Sequence, residues 1–512
     1  MIGSGLSEGP PPDTSGQMLG TPLTEALRAI VPPLLFGLRL WASVCLALYV
    51  AFWLELDNAF WAGTTAAIVC QPHLGASLRK GWYRLVGTVV GAVAIVVLTA
   101  GFPQDRAPFL VGVALWGAGC ALVATLLRNF AAYSAALAGY TAVIIASDQL
   151  GATGGPNGDA FMLAITRASE ICIGIVCAGL VLAGTDLGHA RRRLGTVFAS
   201  LSAEIASRFS NTLDIAGAEF EGTQTTRREL VRRVIALDPM IDEAFGESSE
   251  LRYHSPILQN AVDGLLAALA GWRTAALLLA RSPEQRARQE AGAVLAQIPE
   301  PLRVQPEAEV ALRWIDDAPG LLRACEAAVR RLVVLPAGTP SLRLLADQTA
   351  EALAGISHAL NGLALLVFDA ARPVARGRGS RRLRIPDWLP SLVNAGRAFA
   401  VIGAAELFWV VSAWPNGTDA IIFAAIVVIL FAPRADQAYA TAIGFLIGSI
   451  LMVAIAAIVK FAVLPNVETF VGFGLITGAV LVPVGAFLAL QWQPAIFTGM
   501  VTAFIPLPAP SN

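Results

Sequence analysis

Apolar residues are gathered along this chain into two clusters that a polar segment separates. Long apolar runs fill residues 37–184 and again 391–512, whereas 185–390 sets apolar positions at three- and four-residue spacing among Arg and Glu. Apolar runs near the ~20 residues that cross a bilayer predict transmembrane helices, and the three- and four-residue spacing predicts amphipathic helices. The pattern therefore predicts an all-α polytopic membrane protein, in which two transmembrane blocks flank a helical domain.

Polar and glycine-rich turns divide each block into individual spans. We predict six spans in the first block, at 37–55, 59–72, 85–100, 109–127, 130–147 and 161–184. We predict five in the second block, at 396–413, 418–433, 438–462, 469–490 and 494–508. The second span is short for a full crossing, so we expect it to be partly re-entrant.

The two blocks resemble parallel copies of one unit. Arg39 and Arg397 stand at equivalent span starts, and the pair Gly87-xxx-Gly91 recurs as Gly444-xxx-Gly448. Such recurrence indicates a duplication, which is typical of transport proteins and unusual for soluble enzymes. Counted by this repeat, the second block should have a sixth span. Either the protein ends early, with its C-terminus outside, or the sequence is a fragment of a longer chain, and we expect the second.

The distribution of charge predicts the orientation in the membrane. Arg79, Lys80 and Arg84 fall between the second and third spans, Arg128 follows the fourth, and the run 191–193 follows the sixth, whereas the opposite loops are mainly acidic. The positive-inside rule then places the N-terminal segment and the 185–390 domain in the cytoplasm. The Gly- and Pro-rich N-terminal segment, which we bound at 1–36, lacks a secretory signal pattern and is expected to be disordered.

Composition excludes several classes of protein. Hydrophobic residues make up 56% of the chain and charged residues 14%, against roughly 25% charged in average soluble domains. The six Cys and four His are scattered, so neither a metal site nor a cofactor is predicted. The sequence contains no Gly-Lys-Ser/Thr, which argues against a built-in ATPase and against an enzyme. The arginine-rich run 371–384 has no interleaved aromatics, which favours lipid headgroups over nucleic acid.

Ionisable residues inside predicted spans are candidates for function, because a charge in hydrocarbon is costly unless it is paired or hydrated. Glu406 lies near the middle of the seventh span, where it would serve proton coupling, substrate passage or a structural hydrogen bond. Arg167 and Glu170 lie three residues apart on one face of the sixth span, close enough to form an ion pair. That pair is either structural or part of the translocation path, with Arg167 free to meet a substrate carboxylate.

Further substrate-path candidates lie at the ends of spans. They are Arg39, Arg397, Gln71, Pro72, Asp57 and Trp61. The two arginines would either contact lipid headgroups or form an anion-attracting vestibule. The aspartate and the tryptophan lie at the predicted outer mouth, where a tryptophan is also typical of the interfacial belt. The Gln-Pro pair ends the second span, and a proline there frees a carbonyl group that can line a path.

Several motifs resemble the fusaric acid resistance (FUSC) family of inner-membrane proteins. They are FWAGTTAAIVCQP at 60–72, LRKGWYRLVGT at 78–88, RASE at 167–170 and WPNG at 414–417. The segment 505–512 resembles a family segment that usually precedes further chain.

The resemblance implies a bacterial inner-membrane protein that exports aromatic carboxylic acids or related toxic organic anions, often beside a periplasmic adaptor subunit. Since no ATPase motif occurs, we expect the proton gradient to drive export. The expected partners are a small organic anion and membrane lipids, and no nucleic acid is expected. A homo-oligomer is left open as an alternative to a single copy. Two other hypotheses also stay open: a gated anion channel with the cytoplasmic domain as sensor, and a non-transporting envelope assembly protein.

Overall fold

The computed structural model describes residues 20–103, 105–153, 160–186, 190–216, 223–303, 308–368, 387–415 and 417–506. Throughout these ranges the ordered elements are helices, and none of the described residues forms a strand. The prediction of an all-α polytopic membrane protein is confirmed. The arginine-rich run 371–384 and the terminal residues 507–512 lie outside the described residues.

The first apolar block folds into long helices joined by short turns. They are α1 (Gly20–Trp53), α2 (Phe60–Val69), α3 (Leu74–Gly101), α4 (Arg106–Leu126), α5 (Asn129–Thr153) and α6 (Ala160–Thr185). Helix α1 begins well before the predicted span, so the prediction of disorder is wrong for residues 20–36. The stretch Leu23–Ile30 consists largely of Ala, Leu, Glu and Arg, which are strong helix formers.

Helix α3 also begins earlier than predicted, at Leu74, two residues after Pro72. Lys80 and Arg84 therefore lie within a helix, and their assignment to a connecting loop was wrong. The sequence from Leu74 onward contains no proline until Pro103, and its polar residues interrupt the apolar pattern without breaking the helix. The hydropathy pattern placed the start of this span after Arg84 because the charged residues before it lower the hydropathy, although the helix itself continues through them.

The polar segment forms a bundle of shorter helices. They are α7 (Ala190–Asp214), α8 (Thr223–Ile235), α9 (Leu237–Glu247), α10 (Ser249–Tyr253), α11 (Ser255–Arg281), α12 (Glu284–Leu295), α13 (Ala308–Asp316), α14 (Ala318–Val333) and α15 (Pro340–Phe368). Side chains cap three of these helices at their N-termini within the described residues. The Ser248 hydroxyl accepts from the amide of Leu251, the Asp317 carboxylate from that of Gly320, and the Thr339 hydroxyl from that of Leu342. Local polar signals thus mark where the chain turns.

The second apolar block forms α16 (Trp388–Ser412), α17 (Gly417–Leu430), α18 (Ala438–Ile458), α19 (Phe470–Ala489) and α20 (Pro494–Phe504). Helix α16 ends at Ala413, whose φ of 50° is left-handed. Such a residue stops a helix because the next amide no longer points back along the axis.

Eleven helices among the described residues are long and apolar enough to cross a membrane, so the chain is a multi-pass membrane protein. Two of the eleven, α11 and α15, fall in the predicted cytoplasmic segment, where they supply much of the hydrophobic core of the bundle. Helices α2 and α20 have 10 and 11 residues. At 1.5 Å per residue they measure about 15 Å, half of a hydrocarbon core.

The described residues form two structural units. The membrane unit takes those within Met1–Pro72, Lys80–Thr185 and Asp387–Asn512. The insert unit takes those within His73–Arg79 and Asp186–Pro386. The cytoplasmic location of the insert unit remains a prediction.

Within the membrane unit, the two blocks pack through reciprocal pairs of helices. Helix α1 packs on α19 as α16 packs on α4, and α2 packs on α20 as α17 packs on α5. The α1–α19 crossing is close, because the Cα of Gly37 lies 2.9 Å from where a Cβ on Gly485 would stand. Reciprocal packing of corresponding helices is what a parallel duplication of one unit would produce. The duplication itself stays a prediction.

The two Gly-xxx-Gly motifs occupy corresponding helix crossings. On α3, Gly87 and Gly91 face the backbone of α5, and a Cβ on Gly91 would lie 2.6 Å from the carbonyl oxygen of Ala138. On α18, a Cβ on Gly448 would collide with the carbonyl oxygen of Ile496 in α20. Both motifs therefore allow two helix backbones to approach closely, as small residues do in membrane proteins.

Candidate functional site

Helix α6 presents a buried ion pair inside the membrane unit. The Nη1 of Arg167 lies 3.6 Å from the Oε2 of Glu170, and its Nη2 lies 3.7 Å from the Oδ2 of Asp148 on α5. Glu170 is 1% exposed, whereas the Asp148 side chain is half exposed. The structure thus brings together two predicted residues and adds Asp148, which was not among the predicted site residues.

The same guanidinium lies on an aromatic ring. The Cζ of Arg167 is 3.7 Å from the centroid of the Trp61 ring on α2, a cation–π contact that gains strength when both groups are desolvated. Trp61 is partly buried and packs beside Tyr133 and Tyr140 of α5. The structure therefore joins Trp61 to Arg167, although the sequence had suggested only a position at the mouth.

A second buried guanidinium lies on α3. Arg84 is 3% exposed; its Nη1 donates to the Tyr133 hydroxyl at 2.6 Å and its Nη2 to the Thr65 hydroxyl at 3.2 Å. Its Nε has no hydrogen-bond partner among the described residues, and neither has the hydroxyl of Thr88, one turn further on. Lys80, one turn earlier, has its Nζ 5.7 Å from the Tyr133 ring centroid.

Glycines let these helices approach closely enough to form the cluster. A Cβ on Gly174 of α6 would lie 2.5 Å from the Ala62 carbonyl oxygen and 2.7 Å from the Cβ of Thr65, so α2 rests directly against α6. The Gly87 crossing places α3 against α5, alongside Tyr133. We call the resulting group the cationic cluster; it consists of Lys80, Arg84, Arg167, Trp61, Thr65, Tyr133 and Tyr140.

Charge in the cationic cluster is unevenly balanced. Arg167 has two carboxylates within 4 Å, whereas no carboxylate in the described part of the chain forms an ion pair with Arg84 or Lys80. Trp61 and Thr65 lie one turn apart on α2, and Lys80 and Arg84 one turn apart on α3. The side chains of Lys80 and Arg84 therefore place two positive charges one helical turn apart along α3.

Glu406 is buried on α16 at 4% exposure, and its carboxylate makes no hydrogen bond or ion pair with any described residue. Helix α16 begins at Trp388, earlier than predicted, so Glu406 lies halfway between the middle of the helix and its C-terminal end. Trp409 lies one turn beyond Glu406 on α16. The Cζ of Arg106 on α4 is 4.5 Å from the centroid of the Trp409 ring, a cation–π contact.

Of the remaining predicted residues, Arg39 lies inside α1 and Arg397 inside α16. Asp57 lies between α1 and α2, and Gln71 and Pro72 lie between α2 and α3. Arg39 donates to the Thr185 carbonyl at 2.5 Å, whereas Arg397 and Asp57 are exposed. The Gln71 amide donates to the Cys70 carbonyl at 2.9 Å and to the Ile68 carbonyl at 3.2 Å, so it closes the end of α2. The role of each residue in a transport path stays a prediction.

The sequence interpretation missed the part of the cluster on α3. Lys80, Arg84 and Thr88 repeat every four residues and so lie on one helix face. Had the helix been extended back to Leu74, this spacing would have indicated a polar stripe. Tyr133 and Tyr140 carry no comparable signal, because a tyrosine in an apolar run is ordinary.

The insert unit holds its buried charges differently. Glu290 of α12 accepts hydrogen bonds from Ser341 at 2.5 Å, Thr339 at 2.6 Å and Arg286 at 2.9 Å. Burial opposes ionisation, but these hydrogen bonds outweigh it and lower the pKa of Glu290. An open cavity of about 640 Å³ lies beside it. Because the carboxylate already has three protein donors, it needs no ligand.

Residues 33–512 match the model of the "Fusaric acid resistance protein family". An uncharacterized transporter of Gluconobacter oxydans is 28% identical over 93% of this chain and 65% of its own length. The p-hydroxybenzoic acid efflux pump subunit AaeB of Edwardsiella tarda is 26% identical over 85% of this chain and 65% of its own. The p-hydroxybenzoic acid efflux pump subunit AaeB of Yersinia enterocolitica is 26% identical over 85% of this chain and 64% of its own length. The chain thus spans about 65% of the length of these relatives.

Proposed function

Because this chain belongs to the fusaric acid resistance protein family, we propose that it is an inner-membrane efflux transporter for aromatic carboxylic acids and related toxic organic anions. The relatives named as p-hydroxybenzoic acid efflux pump subunits support this substrate class. No nucleotide-binding motif occurs in the sequence, which supports the proton gradient as the source of energy.

One observation carries the proposal. Arg167 contacts two carboxylates and an aromatic ring at once, through Glu170, Asp148 and Trp61. An aromatic carboxylate offers both kinds of contact in one small molecule, so it can replace these partners around the guanidinium. Exchange of partners lets a buried cation accept and release an anion without being left unpaired.

Proton coupling requires a group that takes up and releases a proton within the membrane. Glu406 and Glu170 are the buried carboxylates of the membrane unit among the described residues. Glu170 already faces Arg167, whereas Glu406 has no ionic partner there. We assign proton coupling to Glu406 and exchange with the substrate to Glu170.

The test is efflux of radiolabelled p-hydroxybenzoate from energised cells with and without the protein, repeated after a protonophore is added. We expect efflux that depends on the protein, stops with the protonophore and falls at least tenfold in Arg167→Gln, since a charge-assisted contact is worth roughly 1.5–3 kcal/mol. The control is Arg128→Gln, which removes an exposed arginine before α5. Wild-type efflux in Arg167→Gln would contradict the role of Arg167.

The two alternative hypotheses predict other outcomes. A gated anion channel, with the insert unit as sensor, would let the anion equilibrate but never leave the cell against its gradient. An envelope assembly protein would show no transport, and variants of Glu406, Glu170 and Arg167 would be silent. Export against a gradient that these variants reduce would exclude both alternatives.

We also propose that a periplasmic adaptor completes the exporter, because the named relatives are described as pump subunits. A homo-oligomer and contacts with membrane lipids remain part of the proposal, and the oligomeric state is measurable by native mass spectrometry. The cytoplasmic placement of the insert unit rests on its flanking arginines, such as Arg191–Arg193. Labelling of a cysteine placed at the exposed Tyr253 only after the cells are opened would support it.

A further inference from the structure

Helix α3 carries a buried positive charge that the protein itself does not neutralise. Arg84 is almost fully buried, yet its hydrogen-bond partners, Tyr133, Tyr140 and Thr65, are neutral hydroxyls. Lys80 lies one turn away on the same face, and its Nζ lies 5.7 Å from the centroid of the Tyr133 ring. Two like charges one turn apart repel each other.

Burial of an unpaired charge costs several kcal/mol, and proteins normally offset this cost with an opposite charge. The described residues supply no such charge to Arg84 or Lys80. The ion pair around Arg167 differs in this respect, because Glu170 and Asp148 balance it. An anion from outside the chain would therefore be bound most strongly at Arg84.

The free atoms have the geometry of a carboxylate site. A guanidinium binds a carboxylate through two parallel bonds, and Nε and Nη2 form one edge suited to this. On Arg84 the Nε has no partner among the described residues, and the Nη2 donates a 3.2 Å bond to the Thr65 hydroxyl, which can rotate. The unpartnered hydroxyl of Thr88 lies one turn along α3.

Two tyrosines contact this guanidinium, because both Tyr133 and Tyr140 form hydrogen bonds with Arg84. Tyr140 forms a buried cluster with Leu137 and Ile144 of α5, and Trp61 and Tyr133 pack against it. A ligand with one carboxylate and one flat ring would meet a cation and aromatic faces together. An inorganic anion would use the cation alone.

We propose that Arg84 and Lys80 form a second anion subsite, separate from the Arg167 ion pair, which binds the carboxylate of the transported aromatic acid. Tyr133, Tyr140 and Trp61 lie beside its ring. This inference rests on the proposed export of aromatic acids. It adds a binding step at α3 before or after the exchange at Arg167.

The experiment is equilibrium binding of radiolabelled p-hydroxybenzoate to the purified full chain in lipid nanodiscs. We expect binding to weaken roughly tenfold or more in Arg84→Gln and severalfold in Lys80→Gln, since each removes a charge-assisted contact. The control Arg128→Gln should bind as the wild type does. The uncharged amide of the acid should not compete.

Arg84→Lys keeps the charge but loses the two-bond edge, so it tests the site even if Arg84→Gln fails to fold. We expect Arg84→Lys to bind more weakly than the wild type. Wild-type affinity in both Arg84→Lys and Lys80→Gln would overturn the subsite. Chloride that displaces the acid as well as an unlabelled aromatic acid does would overturn the aromatic specificity.

Binding and export can fail separately. If the wild type binds p-hydroxybenzoate through Arg84 but cells show no efflux, the proposed function fails and the subsite stands. If cells export the acid and Arg84 variants bind it normally, the function stands and the subsite is overturned.

Discussion

Buried charges have opposite surroundings in the two units. In the insert unit, Glu290 is held by Ser341, Thr339 and Arg286. In the membrane unit, Arg84 meets only neutral hydroxyls, and Glu406 has no ionic partner among the described residues. A satisfied buried charge fixes one arrangement of helices, whereas an unsatisfied one is a cost that a substrate or a proton can relieve.

The comparison extends to the two blocks of the membrane unit. Arg84 and Lys80 stand three and seven residues before the first glycine of the α3 motif, and the second block has Thr441 and Gln437 at these two positions. The helix crossing is the same in both blocks, but the charge is present only in the first. Two helices can therefore share the same glycine-mediated crossing while only one of them carries buried positive charges.

The largest effect is expected for Glu406→Gln, which should lose transport but not folding. We expect Glu406→Gln to abolish efflux driven by the proton gradient while the protein reaches the membrane in normal amounts, because glutamine keeps the shape but cannot carry a proton. Efflux with and without a protonophore, together with size-exclusion chromatography, measures both properties. Full activity would remove Glu406 from the mechanism.

The next effect concerns packing and should be equal in the two blocks. We expect Gly91→Ala and Gly448→Ala each to destabilise the fold by about 1–3 kcal/mol, because the added methyl group meets a backbone carbonyl. Gly403→Ala is the control, since nothing lies within 4 Å of its Cβ position. Thermal unfolding in detergent provides the measurement. Equal Tm values for all three variants would contradict the close crossings.

The smallest effect tests the paired charge of the insert unit. We expect Glu290→Gln to lower the local stability of α12 by about 1–2 kcal/mol at neutral pH while efflux is unchanged, because three hydrogen bonds lose their charged acceptor. Amide hydrogen exchange in residues 284–295 measures this. Altered efflux with unaltered exchange would reverse the assignment of roles.

The same residue predicts a dependence on pH. The folded pKa of Glu290 lies below the ordinary 4.5, so ionised Glu290 stabilises the fold above that pH. This contribution is lost as the pH falls through the folded pKa. The protection factors of the α12 amides, which correct for the intrinsic slowing of exchange at low pH, should therefore fall below about pH 4.5 in the wild type and change less in Glu290→Gln.

Much of the fold could be predicted from the pattern of apolar residues, because a bilayer demands long apolar helices. The errors lay where charge interrupts that pattern. Helix α3 continues back through Lys80 to Leu74, and α1 back to Gly20. Hydropathy indicates where a helix meets lipid, but helix formation depends on backbone propensity, which polar residues also satisfy.

The candidate site was predicted only in part. Arg167 and Glu170 were recognisable as a pair because they are local neighbours on one helix. Tyr133 and Thr65 could not be linked to Arg84, since these residues belong to three different helices whose neighbours in space are set by packing.

The sequence by itself determined the helical class, the two apolar blocks and the glycine spacing, because these follow from periodicity along a single chain. Only the tertiary structure decided that α2, α3, α5 and α6 bring their polar side chains together. Side chains distant in sequence meet only when helices pack, and that packing decides whether a buried charge finds a partner. At Arg167 it finds Glu170 and Asp148; at Arg84 it finds neutral hydroxyls.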